Sequence, residues 1–117
     1  MRIILVLLLV ILSATSFADT CPPVVTPKNI PQGWTLTRND GVTQPMIPFD
    51  FALWNGNGDG RIDCAYFDTN DTILVITSNK SYPTPDAKKY PLWDLRNNTG
   101  WCNIMSLPIH PGQCTFG

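Results

Sequence analysis

Residues 55–66 read NGNGDGRIDCAY, and the fold class turns on what the chain does around those glycines. A calcium loop between two helices needs oxygen ligands at its first, third, fifth and ninth places. It also needs glycine at the sixth and a bidentate acid at the twelfth. Counted from Asn55, the ligand places hold Asn55, Asn57, Asp59 and Asp63, Gly60 is sixth, and the closing acid is replaced by Tyr66. The competing structure is a turn between two strands. Leu53 and Trp54 before it continue an alternating strand. RIDCAYF after it puts Ile62, Cys64 and Tyr66 on one face, with Asp63 and Ala65 on the other. The flanks favour the turn, with Gly56, Gly58 and Gly60 expected at positive φ. The expectation is an exposed connection without bound metal. A weak calcium site on Asn55, Asn57, Asp59 and Asp63 is the alternative.

Working outward, TILVITS at 72–78 is short, apolar and β-branched, which marks a strand. DTND at 68–71 then turns a hairpin between 61–67 and 72–78. WTLTR at 34–38 reads as a strand, and NDG at 39–41 as a tight turn. Pro45 and Pro48 push the next stretch towards a sheet edge or an irregular path. Beyond it, Phe49, Phe51 and Leu53 alternate with Asp50 and Ala52. Asp86 to Tyr90 suits one helical turn, entered at Pro85 and ended by Pro91. LWDLR is a short strand or a continuation of that turn. NNTG is a turn and WCNIMSL a possible strand.

All nine acidic residues are Asp, beside eleven Pro and eight Gly. Asp favours turns and caps where Glu would favour helix. The predicted fold is all-β: a mainly antiparallel sheet, small and sandwich- or barrel-like, with at most one short helical turn.

The chain opens with Met1-Arg2, an unbroken apolar run from Ile3 to Leu12, and then SATSFA. That order predicts a secretory signal peptide over 1–18, cut after Ala18. The apolar run is too short to span a bilayer, which takes about 20 residues. Cutting 18 of 117 residues leaves 99, enough for a single domain over 19–117. Loss of Arg2 leaves seven basic and nine acidic residues, a net charge of −2. Nucleic acid and anionic membrane are poor partners for such a surface. The expected location is secreted or periplasmic, and the expected state a soluble monomer.

Four cysteines in an exported chain read as two disulfides. Cys21–Cys64 would staple the proline-rich arm at 21–33 to the central strand, and Cys102–Cys114 would close a local loop. Zinc is disfavoured, because no two cysteines have C-x-x-C spacing and His110 is the only histidine.

No motif offers His110 a serine or thiol partner, so it reads as a loop residue, and as a possible ligand contact. Pairs of Asp carboxylates could in principle cleave a glycosidic bond, but nine Asp in a turn-rich chain single out no pair. No catalytic set and no cofactor are expected. Of the four tryptophans, Trp34 and Trp54 lie in strand-like segments and suit the core. Trp93 and Trp101 sit beside turns, where a ring either fills the core or stacks on a sugar. CNIMSLPIHPGQC at 102–114 would be a proline-stiffened loop, either a rigid binding loop or a pin for the C-terminus.

Four landmarks stand in order: Cys21, IDCAY at 62–66, WC at 101–102 and CTF at 114–116. In that spacing the chain resembles a family of short secreted bacterial disulfide-bonded proteins of unknown function. The resemblance implies a periplasmic or exported β-domain and supplies no catalytic residues. The expected function is an exported, non-enzymatic binding or interaction module for an unknown protein or glycan partner. A glycan-binding module using Trp93 and Trp101 is one alternative, and a weak calcium-binding domain is the other.

Overall fold

A computed structural model describes residues 19–103 and 110–117. The chain is all-β, and the strands form one antiparallel sheet. They are β1 (Val24–Val25), β2 (Trp34–Asn39), β3 (Ile47–Asn55), β4 (Ile62–Phe67), β5 (Ile73–Ser78), β6 (Trp93–Arg96) and β7 (Thr99–Cys102). Among the described residues one 3₁₀ turn is formed, over Pro111–Cys114. The order across the sheet is β2-β5-β4-β3-β7-β6, with β1 pairing β3 at Val24–Pro48 and Val25–Ile47. The sheet is open, with β2 and β6 at its two ends.

The predicted hairpin over 61–78 is β4 and β5. Its turn is built by Asp68, whose Oδ1 accepts the N–H groups of Asn70 and Thr72, both at 2.9 Å. The NDG segment does turn: Asn39 Oδ1 accepts from Gly41 and Val42. It does not make a hairpin, because β5 and β4 lie between β2 and β3. The helical turn at 86–90 is present as Tyr90 N–H bonding the Asp86 carbonyl at 2.8 Å, capped by the Asp86 carboxylate. Asn97 and Asn98, at φ 49° and 62°, make the two-residue turn joining β6 to β7.

One correction concerns β3. Phe49, Phe51 and Leu53 do not share a face. A bulge between Phe49 and Phe51 puts one extra residue into the strand, which switches the alternation. Phe49 therefore lies with Ala52 and Trp54 against the core, while Phe51 and Leu53 look the other way. Pro48 is tolerated at the end where β3 meets only the two-residue strand β1.

The core lies on one face of the sheet. Ile62, Cys64 and Tyr66 from β4 meet Leu74 and Ile76 from β5 and Phe49 and Trp54 from β3, all buried. Among the described residues no second sheet covers them. The cover is the N-terminal arm, the loop between β5 and β6, and the C-terminus. Both predicted disulfides are present: Cys21–Cys64 holds the arm against β4, and Cys102–Cys114 holds the 3₁₀ turn against β7. Tyr66 adds a hydrogen bond from its hydroxyl to the Pro22 carbonyl at 2.6 Å, and burial pushes that phenol well above its ordinary pKa.

Candidate functional site: the uncovered face of the sheet

The stretch at 55–61 is the connection from β3 to β4. The Asn55 carbonyl accepts from Gly58 and Gly60, and its side-chain oxygen accepts from Gly58. Asn57 donates its amide to the Asn97 carbonyl at 2.7 Å. Asp59 accepts from the backbone of Arg61 and pairs with its side chain. Asp63 accepts the Thr77 hydroxyl at 2.6 Å. Each of the four candidate calcium ligands thus has a role in closing the turn or bracing the sheet. Among the described residues, no three His, Cys, Asp or Glu side chains gather as a metal set.

Only Gly60 of the three glycines has positive φ, at 75°. Gly56 is needed for a different reason. A Cβ there would run into the Trp54 ring and the Asn98 carbonyl. Gly58 likewise makes room for the Asn55 amide.

The tryptophans separate by strand geometry. Trp93 in β6 aligns with Cys102 in β7, and Trp101 is the next residue along β7. Neighbouring residues on a strand point to opposite faces, so the two rings cannot form one platform. Trp93 is in the core at 3% exposure and is removed as a surface residue, whereas Trp101 is 49% exposed. Trp54 is buried and Trp34 half-buried, as expected for strand positions. His110 is exposed just before the 3₁₀ turn. Residues 104–109 of the proposed proline-stiffened loop lie outside the described residues.

Trp101 belongs to a row that crosses the whole sheet. Thr35, Thr77, Asp63, Leu53, Trp101 and Asp94 are successive cross-strand partners on β2, β5, β4, β3, β7 and β6. All lie on the uncovered face. The adjoining row carries Val75, Ala65 and Phe51, and the next Ile73 and Phe67. The Phe51 ring contacts both Phe67 and Trp101, at centroid distances of 6.1 and 6.3 Å. A solvated face of an antiparallel sheet is ordinarily polar. This face instead presents half-buried Phe51, Phe67, Ile73 and Val75, with Leu53 38% and Trp101 49% exposed.

Charge on this face is sparse. Arg38 pairs with Asp40 at 2.7 Å, and Arg96 with Asp94 at 3.1 Å. The hydrogen bond and charge of Arg38 hold the Asp40 carboxyl below its ordinary range. Asp63 differs: among the described residues it has no cationic partner. It borders two shallow grooves, one of about 310 Å³ towards Thr37, Phe51 and Val75, the other of about 390 Å³ towards Leu53, Thr99 and Trp101. Asp63 and Trp101 both pair with Leu53, so their strands lie about 10 Å apart with Leu53 as the floor between.

Sequence reasoning missed this face, although a signal was there. ILVI at 73–76 is apolar at every position, where a half-solvated strand should alternate. Compared with known proteins, the chain matches no family model, no curated protein and no solved structure.

Proposed function

We propose that this protein is an exported binding module that docks a protein partner on the uncovered sheet face around Trp101, Leu53 and Phe51. The observation that carries the reading is the apolar character of a sheet face that nothing in the described chain covers. Contiguous exposed apolar surface of this kind marks interaction sites, and aromatic anchors at the centre of a patch dominate such interfaces. The uncompensated Asp63 carboxylate adds a polar specification: the partner brings a lysine or arginine to it, with apolar groups on either side.

Export is supported by the two disulfides, which persist in oxidising compartments, and by the apolar start of the chain followed by small residues. No helix among the described residues is long and apolar enough to cross a membrane.

The test is retention of an extracytoplasmic partner on the immobilised, oxidised protein. Wild type and the edge variant Thr35→Ala retain the same partner. The double variant Trp101→Ala/Leu53→Asp loses it while keeping its melting temperature. Equal retention by the double variant overturns the reading.

A further inference from the structure

At the opposite end of β2 from the NDG turn, three distant segments enclose a cleft of about 330 Å³. Asp19 comes from the start of the described chain, Gln32 and Trp34 from the entry to β2, and Asn79, Lys80 and Tyr82 from the exit of β5. We propose that this cleft is a second binding site, for a neutral pyranose sugar.

The walls are fixed by backbone pairing. Asp19 and Phe116 exchange hydrogen bonds at 2.7 and 2.9 Å, and Asn79 N–H bonds the Gly33 carbonyl at 2.9 Å. A site held in this way loses little freedom on binding. Its volume is at the lower end of the range for ligand pockets, which suits a single ring.

Charge selects against ions. Lys80 Nζ lies 3.4 Å from Asp19 Oδ2, and that oxygen also accepts the Tyr82 hydroxyl at 2.6 Å. The ammonium sits over the Tyr82 ring, 4.9 Å from its centroid. The side-chain charges of the cleft, Lys80 and Asp19, thus compensate each other, so neither is left unpaired to select a phosphate or an amine. This is the reverse of the situation at Asp63.

What remains is the recognition set for a polyol with an apolar face. Trp34 is half-buried, meets Phe116 edge-on at 6.3 Å, and is among the residues lining the cleft. Asn79 Oδ1 accepts the Thr35 hydroxyl at 2.6 Å, which orients the amide. Among the described residues, neither the Asn79 amide nitrogen nor the Gln32 amide has a hydrogen-bond partner. A pyranose offers C–H groups on one face, which pack on an indole. Its hydroxyls at the rim both donate and accept, as planar amides and carboxylates require. Trp34 pairs with Ser78 and so faces the covered side of the sheet, opposite the row through Trp101. The Trp34 wall of the cleft therefore lies on the other side of the sheet from Trp101, and the Thr35–Asn79 bond links the cleft to the edge of the docking face.

The experiment is a titration of the oxidised, ¹⁵N-labelled protein with methyl β-glucoside, N-acetylglucosamine, cellobiose and maltose, read by backbone and indole N–H resonances. The expected result is that at least one saccharide shifts Gln32–Trp34 and Asn79–Tyr82, with an affinity insensitive to salt. Gln32→Ala and Asn79→Ala, which leave the Trp34–Phe116 packing in place, each weaken it about tenfold, the effect of one lost hydrogen bond. No shift with any of the four at ~100 mM overturns the proposal. So does binding centred on Trp101, or binding unchanged in both amide variants. Absence of binding at this cleft leaves the retention of a protein partner at Trp101 unaffected, whereas a saccharide bound at Trp101 would count against both proposals.

Discussion

The indole N–H of Trp93 donates to the Thr115 carbonyl at 2.9 Å, which joins β6 to the last residues of the chain. Both groups are buried. This bond, together with the opposite facing of Trp101, divides two sequence-equivalent tryptophans into a structural and a surface residue. Trp93→Phe should leave the Thr115 carbonyl unpaired and cost about 1–3 kcal/mol in urea unfolding. Trp101→Ala should cost about 1 kcal/mol or less. A larger loss from Trp101→Ala would mean that its ring supports the fold, not a partner.

The two disulfides close loops of different length, with sequence separations of 43 and 12. If their main effect is on the unfolded chain, replacing Cys21 and Cys64 by serine should cost about 4 kcal/mol, and replacing Cys102 and Cys114 about 3 kcal/mol. The comparison is made by denaturant unfolding of the two double variants. The opposite ranking would show that native packing around Cys114 outweighs loop entropy.

Calcium should leave the melting temperature nearly unchanged. The side chains of Asn55, Asn57, Asp59 and Asp63 are all engaged within the protein, and the loop lacks its closing acid. At concentrations near a millimolar dissociation constant, linkage contributes only a few tenths of a kcal/mol. A large calcium-dependent rise, lost in Asp59→Ala, would reinstate the metal site. Gly60→Ala should instead destabilise with or without calcium, by about 1–2 kcal/mol for the left-handed backbone. Its Cβ would also stand 3.1 Å from the Tyr82 carbonyl.

Asp50 lies at the β3 bulge, and burial raises its pKa above the ordinary aspartate value. The native state then holds this proton more tightly than the unfolded chain. Stability from this group is present at low pH and falls as pH rises from the unfolded pKa through the folded one. Asp50→Asn should therefore be relatively more stable than wild type at pH 7 than at pH 3, measured by paired melts. A difference between the two proteins that is independent of pH would contradict the assignment.

Local chemistry by itself determined much of this protein. Strand-forming runs at 34–38, 61–67 and 72–78, Asp- and Asn-rich turns, and the absence of Glu specify a β-rich chain, because these preferences act within a few residues. The NGNGDG reading as a strand connection follows from its flanks. Cysteine spacing and the proline-rich arm also indicated the correct disulfide pairing. Residues far apart in the chain decided the rest. The bulge after Phe49 lies where β3 passes from its pairing with β1, at Ile47 and Pro48, to its pairing with β7, from Ala52 on, and it moves Phe51 and Leu53 to the outer face. Trp93 and Trp101 have similar sequence surroundings; only the β6–β7 register places one in the core and one in water. The cleft at Asp19, Trp34 and Asn79 has no local signature, since its three walls meet only when the chain ends close on the sheet. Period-two patterning tells which residues share a face. Which face is then covered is a property of how arm, loop and C-terminus pack, and here they all cover the same one.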